Sequence, residues 1–196
     1  AISEFKSIQE RFPDSEYAEV SLYTIGWIHF QKKEYTKSIS QYNNVIAKYQ
    51  KTKLEPIIYY SIGDAQFNME KYDSAIVNYE KVLSQFPSSQ YVFDAVTGIQ
   101  YSYVAKGEPE KAVSFLGEFV STNPSLSYAD QLMFKKGEIY YSLRNYEKAK
   151  TEYRSFTSAY PKSKLVPDAY YWIGKSAQNL NKSEEAIFSF EKVFNG

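Results

Sequence analysis

The sequence contains no cysteine and a single histidine among its 196 residues. The first absence removes disulfide frameworks, thiolate nucleophiles and Cys-based zinc sites. The second removes multi-histidine metal sites and paired-histidine chemistry. Net charge is missing too. There are 23 Lys+Arg against 23 Asp+Glu, so no broad basic face is available for nucleic acid. The halves differ little: residues 1–98 hold 10 basic and 12 acidic side chains, a net of −2, and residues 99–196 hold 13 and 11, a net of +2. That gradient names no partner. No apolar run approaches the ~18 residues of a membrane span, and the mean hydropathy is −0.50. No Lys/Arg-rich polar helix face of the membrane-surface type is present. No two of the 8 glycines lie within five residues of each other, which excludes a glycine-rich phosphate loop. What is abundant is aromatic: 20 Tyr, 13 Phe and 2 Trp, or 18% of the chain. A hydrophobic share of 43% is ample for a packed core and argues against disorder.

A repeat organises these residues. Stepping by 37 from Phe12-Pro13 reaches Tyr49-Gln50, Phe86-Pro87, Asn123-Pro124 and Tyr160-Pro161. The same step from Gly26 reaches Gly63, Gln100, Gly137 and Gly174. From Ser38 it reaches Ala75, Ala112, Ala149 and Ala186, and from Tyr42 it reaches Tyr79, Leu116, Tyr153 and Phe190. Four residue classes share one period without insertion, the mark of a repeat architecture.

Each unit reads as two helices. In the second, apolar residues at 72, 75, 76, 79, 82 and 83 form the i, i+3, i+4, i+7 stripe of an amphipathic helix. Pro87 stops it, because a residue before proline is pushed out of the α region. Asp14-Ser15 or Ser88-Ser89 then offer capping oxygens to the next helix. A first helix such as that from Pro167 to Leu180 starts with proline, where no N–H is missed. No segment alternates with period two, so strands are not expected. Glycine inside a helix costs about 1 kcal/mol against alanine, so its recurrence implies close approach. The expected contact is a crossing of antiparallel helices at the small residues, Gly26 over Ser38, with the bulky Tyr42, Tyr79, Tyr153 and Phe190 beside it. A lone pair cannot bury both faces, so pairs must stack.

The pattern bulky–x2–Leu/Ile–Gly, Tyr–x2–Ala–x3–Tyr/Phe, Pro resembles the tetratricopeptide repeat (TPR) over the whole chain. The resemblance implies an all-α, right-handed superhelical solenoid of helix pairs. The family unit is usually 34 residues; the three extra residues here are placed after the proline. Gln100, Pro109, Ser183 and Gln50 depart from the pattern, and the third unit departs most, with Gly98 two residues before Gln100. A local change of superhelix pitch is expected there. The string Phe-Pro-x-Ser-x-Tyr at 12–17 and 86–91, with a near match at 160–165, is similar to the longer TPR units of bacterial cell-envelope proteins. Those include the lipoprotein of the outer-membrane β-barrel assembly machinery and the Tol–Pal-associated periplasmic coordinator. The resemblance implies a periplasmic or envelope location, with the cytoplasm as the alternative.

The expected organisation is one array without a linker: a remnant second helix over 1–14, then units near 15–51, 52–88, 89–125, 126–162 and 163–196. The remnant, with Phe5, Ile8 and Phe12 in register, leads to the expectation of a fragment of a longer array. There is no initiator Met, signal peptide or lipobox.

No enzymatic activity, cofactor or metal site is expected. His29 stands three residues after Gly26, where Tyr103 and Tyr140 stand in other units, a packing position. Function is expected on the first helices, which line the concave side of a TPR superhelix. Counting from the glycine, offsets −3, +1, +4 and +5 share one helical face. The partner-binding candidates on it are Tyr23, Trp27, Phe30, Tyr60, Asp64, Phe67, Tyr101, Phe134, Glu138, Tyr141, Tyr171 and Lys175. Tyrosine and tryptophan offer large area with a polar tip and suit interfaces, so a protein or peptide partner, extended or helical, is expected in an aromatic groove. The same aromatics at helical spacing also fit a core role, and both readings stand at this point. The Lys/Asn carboxylate clamp of chaperone-binding TPR domains is not reproduced at these positions. Two other functions remain open: an assembly spacer acting by self-association, and recognition of an envelope glycan on stacked rings.

Overall fold

The computed structural model describes residues 2–195. Among them are eleven helices and no strand: α1 Ile2–Arg11, α2 Glu16–Gln31, α3 Tyr35–Lys48, α4 Glu55–Asn68, α5 Tyr72–Gln85, α6 Val92–Ala105, α7 Pro109–Thr122, α8 Ala129–Ser142, α9 Tyr146–Ala159, α10 Val166–Asn179 and α11 Ser183–Asn195. The second helices begin at 35, 72, 109, 146 and 183, and the first helices from α4 onward at 55, 92, 129 and 166, all in steps of 37.

The punctuation between helices has local causes. Within each pair the turn passes through a left-handed residue, at Lys33, Glu70, Gly107, Arg144 and Asn181, with φ between 58° and 77°. Next to it, Glu34 N–H donates to His29 C=O, and Lys71, Asn145 and Lys182 donate in the same way to Gln66, Tyr140 and Ala177. That is the helix-ending arrangement glycine serves best, yet only the third unit uses glycine. Between pairs, the second helix stops at Tyr49, Phe86, Asn123 and Tyr160. Tyr49 has no proline after it and stops the helix at the same register, so proline is sufficient there but not required.

The three residues that lengthen the unit build a hydroxyl turn. Thr52 Oγ1 accepts from Leu54 N–H, Ser89 Oγ from Tyr91 N–H and Ser163 Oγ from Leu165 N–H, at 2.9–3.2 Å. This corrects one expectation. Ser15 does cap α2, accepting from Ala18 N–H, but Ser88-Ser89 does not cap α6, whose boundary residue is Tyr91.

The glycine expectation also needs correcting. A Cβ at Gly26 would lie 2.7 Å from the Tyr42 ring, at Gly63 2.6 Å from Tyr79, at Gly137 2.5 Å from Tyr153 and at Gly174 2.6 Å from Phe190. The nearest neighbour of each would-be Cβ is therefore the aromatic ring sixteen residues later, the residue expected only beside the crossing. The Ser or Ala twelve later is buried in its own right. A Cβ at Gly98 would lie 2.5 Å from the same Tyr79 ring, approached from a second helix, so that ring is held between α4 and α6. The third unit has lost both halves of the device together, with Gln100 for glycine and Leu116 for the ring.

The chain divides into two compact units, Ala1–Lys106 and Gly107–Gly196. The division falls inside the third repeat. The turn there is no longer than the others, three residues between α6 and α7. Unit 1 has a core of Leu22, Tyr42, Val45, Ile58 and Ile62. Unit 2 has a core of Phe134, Tyr140, Ala149, Tyr153, Phe156, Ala169 and Ile173.

Candidate functional site

Two aromatic couples recur through the repeats. The residue three before each glycine packs on the wedge ring: Tyr23 on Tyr42 at 5.4 Å between centroids, Tyr60 on Tyr79 at 5.8 Å, Phe134 on Tyr153 at 5.1 Å and Tyr171 on Phe190 at 5.9 Å. The residue four after the glycine meets the first residue of the second helix edge to face, all at 5.4 Å: Phe30–Tyr35, Phe67–Tyr72 and Tyr141–Tyr146. Such pairs contribute about 0.5–1.5 kcal/mol beyond burial. The third repeat has no aromatic residue at any of these positions (Thr97, Leu116, Val104, Pro109).

In unit 1 the candidate residues converge. Tyr23, Trp27, Phe30, Tyr60 and Asp64 line one cleft of about 270 Å³, with Tyr42, Ile57, Ser61 and Tyr91. Tyr60 and Asp64 also line an adjoining cleft of about 180 Å³ with Phe67 and Tyr101. Trp27 is 48% exposed and Tyr101 52%, so both leave apolar surface open beside the clefts. Asp64 lies between the clefts and accepts a hydrogen bond from the Tyr79 hydroxyl at 2.7 Å. Burial pushes its carboxyl above the usual carboxylate range; the Tyr79 and Tyr60 hydroxyls oppose that, and the Asp94 charge adds to it. Burial and the Asp64 charge in turn push the Tyr79 and Tyr60 hydroxyls well up. Tyr42, in the equivalent wedge seat, is raised by burial to about 12. All three tyrosines are therefore neutral donors at any physiological pH.

In unit 2 the same register gives a different surface. Phe134 is buried, packed on Tyr153 and Phe156, so it belongs to the core and not to an open groove. Glu138 is exposed beside Lys135, at 4.0 Å. Tyr141 and Tyr171 both pack edge to face on Trp172, at 4.7 and 5.3 Å. Lys175 bonds Gln178 at 3.0 Å. The decisive position is two before the glycine. It holds Thr24, Ser61 and Gly98 in unit 1, but Lys135 and Trp172 in unit 2. Small residues line the open cleft of unit 1; at that position in unit 2 the Trp172 indole lies against Tyr141 and Tyr171.

Cleft residues that escape the sequence reading as groove candidates include Ser61, Tyr91, Ile57 and Asp94. Tyr91 stacks on Tyr60 at 6.2 Å, and the Phe-Pro-x-Ser-x-Tyr string already singled it out. Ile57 and Asp94 stand six before the glycine register, on the same helical face as offset −3. His29, expected at a packing position, has a side chain 15% exposed, with Nδ1 2.5 Å from Glu34. The bonds from His29 and then Lys37 hold the Glu34 carboxyl below its usual range. Among the described residues no group of three His, Cys, Asp or Glu is placed to hold a metal, and no helix is long and apolar enough to cross a membrane.

The model of the YfiO outer membrane lipoprotein family matches residues 53–192. The chain belongs to that family. A tetratricopeptide-repeat model also matches residues 20–52, just ahead of the residues matched by the family model, and the YfiO-family chain is a TPR-type protein-interaction scaffold. No curated protein sequence matches. Among solved structures, MamA is similar at 19% identity and a TM-score of 0.58, covering 90% of each chain. BtubC from P. vanneervenii is similar at 13% identity and 0.64, covering 99% of this chain and 85% of its own. YrrB, a TPR protein with an unusual peptide-binding site, is similar at 17% identity and 0.56, covering 100% and 93%. At these identities the likeness is one of fold, a TPR-like helical solenoid, which the YfiO-family chain shares.

Proposed function

We propose that this chain is a non-enzymatic docking scaffold of the bacterial envelope, and that it holds a segment of a protein partner in the first-helix cleft of unit 1. The observation that carries the reading is the cleft itself: half-exposed Trp27 and Tyr101 flank a concavity walled by Tyr23, Tyr60 and Tyr91. Exposed aromatics beside a formed concavity are the usual anchors of recognition. The peptide-binding site of YrrB makes a peptide the first partner to try. The family's outer membrane lipoproteins favour the periplasmic side of the outer membrane.

Two substitutions test it. Trp27→Ala removes an exposed anchor. Ser61→Trp brings into unit 1 the bulk that Trp172 has in unit 2. Both are expected to leave the helical circular dichroism and melting transition nearly unchanged and to abolish capture of peptides selected on the parent protein. Retained capture by both variants would overturn the proposal.

A second reading, self-association, has Ile187, Phe188 and Phe194 in its favour, all more than half exposed on α11. It predicts a mass that rises with concentration in sedimentation.

A further inference from the structure

The two clefts of unit 1 share Tyr60 and Asp64, so they adjoin there and together make a channel with that shared wall over α2, α4 and α6. Each is smaller than the ~300 Å³ at which drug-sized ligand pockets begin, a size suited to single side chains of a docked segment. The charged residues that line the channel are Asp64 and Asp94, and no lysine or arginine lines either part. The Tyr79 hydroxyl bonded to Asp64 satisfies an acceptor without neutralising its charge.

Any occupant of this channel strips water from Asp64. An apolar side chain would leave a desolvated carboxylate with no counter-charge, which is costly. An acidic one would add repulsion from both aspartates. A cation offsets the loss. The walls are also those a cation favours, since tyrosine and tryptophan faces attract positive charge. A planar guanidinium suits them better than an ammonium, because it stacks on rings while forking onto a carboxylate.

We propose that the channel takes an arginine side chain of the docked segment, its guanidinium on the Asp64 carboxylate against the Tyr60 ring, with Asp94 as the second acid at the rim. This rests on the docking reading above and names the chemistry of its occupant.

The test selects peptides from a random dodecapeptide display library on the intact chain and keeps those that Trp27→Ala no longer binds. These peptides are expected to carry an arginine whose replacement by citrulline, its neutral isostere, weakens binding at least tenfold, the scale measured for close charge pairs across interfaces. In Asp64→Asn the same replacement is expected to change affinity less than twofold. Asp94→Lys lies on an exposed residue and remains folded even if Asp64→Asn does not; it is expected to weaken the arginine peptides several-fold and the citrulline peptides little. Citrulline binding as well as arginine overturns the inference while leaving the docking reading intact. So does an arginine preference undiminished in both variants. A library that yields no peptide sensitive to Trp27→Ala overturns the docking reading, and the inference falls with it.

Discussion

Asp64 in unit 1 and Glu138 in unit 2 occupy the same position of the repeat, one residue after the glycine that seats a wedge tyrosine. Asp64 is tucked under its wedge and receives the Tyr79 hydroxyl. Glu138 has a side chain 51% exposed and a lysine within 4.0 Å, and the Tyr153 hydroxyl is not bonded to it. The rings of Tyr79 and Tyr153 are seated alike, each 1% exposed and each against a glycine. The two units thus share a steric device and differ in the chemistry placed over it. In unit 1 the neighbouring positions are small and the carboxylate faces a cleft. In unit 2 Trp172 lies against Tyr141 and Tyr171, and the charges are spent on ion pairs. Lys136 pairs with Glu152 at 2.8 Å; the nearly buried Lys150 bridges Glu147 and Glu185 at 3.1 and 3.0 Å. Arg154 pairs with Glu185 and Lys182 with Glu147.

If the device is shared, breaking it must cost the same on both sides. Tyr79→Ala and Tyr153→Ala each remove a fully buried ring and leave a cavity between helices. Each is expected to cost about 3–5 kcal/mol, read as loss of denaturant midpoint at unchanged slope. A large cost at one tyrosine alone would break the equivalence.

Removing only the hydroxyl should separate the units. Tyr79→Phe leaves the Asp64 carboxylate without its 2.7 Å donor, and a hydrogen bond to a charged group is worth about 1.5–3 kcal/mol. Tyr153→Phe deprives Glu138 of nothing and should cost less than about 1 kcal/mol. Equal losses from the two phenylalanine variants would show that the hydroxyls play the same part in both units.

How far this contrast is legible in the sequence follows from what a repeat records. Spacing fixes which residues share a helical face, so the period, the helix pairs, the wedge tyrosines and most of the unit 1 cleft can be read directly. Spacing does not record the size of the residue opposite. Tyr60 and Phe134 have the same register; one lines a cleft and the other lies in the core, because the residue two before the glycine is small around the first and large around the second. The glycines carried a true signal of close approach, but the partner was the ring sixteen residues on, which only the helix crossing reveals. The division at residue 106 was marked in sequence by the loss of Gly, wedge and both aromatic couples from the third repeat; where the chain divides is a property of packing that no single residue states.

Glycine substitutions extend the comparison with a smaller effect. Gly63→Ala would set a methyl 2.6 Å from the Tyr79 ring. Overpacking of that kind costs about 1–3 kcal/mol, reduced by the ~1 kcal/mol that alanine gains over glycine in a helix. Gly117, in α7 of unit 2, has nothing within 4 Å of its would-be methyl. Gly117→Ala should therefore stabilise by up to about 1 kcal/mol. Thermal melts of the two variants should shift in opposite directions. A stabilising Gly63→Ala would mean that the Tyr79 ring is free to move aside.

The smallest effect is expected at Asp64 itself, and its sign is the informative part. Burial raises the folded-state carboxyl pKa above its unfolded value. Below the unfolded value, near pH 4, both states hold the proton and the residue costs nothing. As pH rises from there through the folded pKa, the unfolded state releases its proton first, so wild-type stability declines and then levels off. Asp64→Asn keeps an acceptor for Tyr79 and carries no charge. It should therefore match wild type near pH 3 and exceed it slightly at pH 7, with the difference developing between those limits. A carboxylate retained at some cost to stability, over a cleft and without a cation beside it, is what a binding residue looks like. A wild type more stable than Asp64→Asn at pH 7 would mean instead that Asp64 is there to hold Tyr79, and unit 1 would then differ from unit 2 in packing alone.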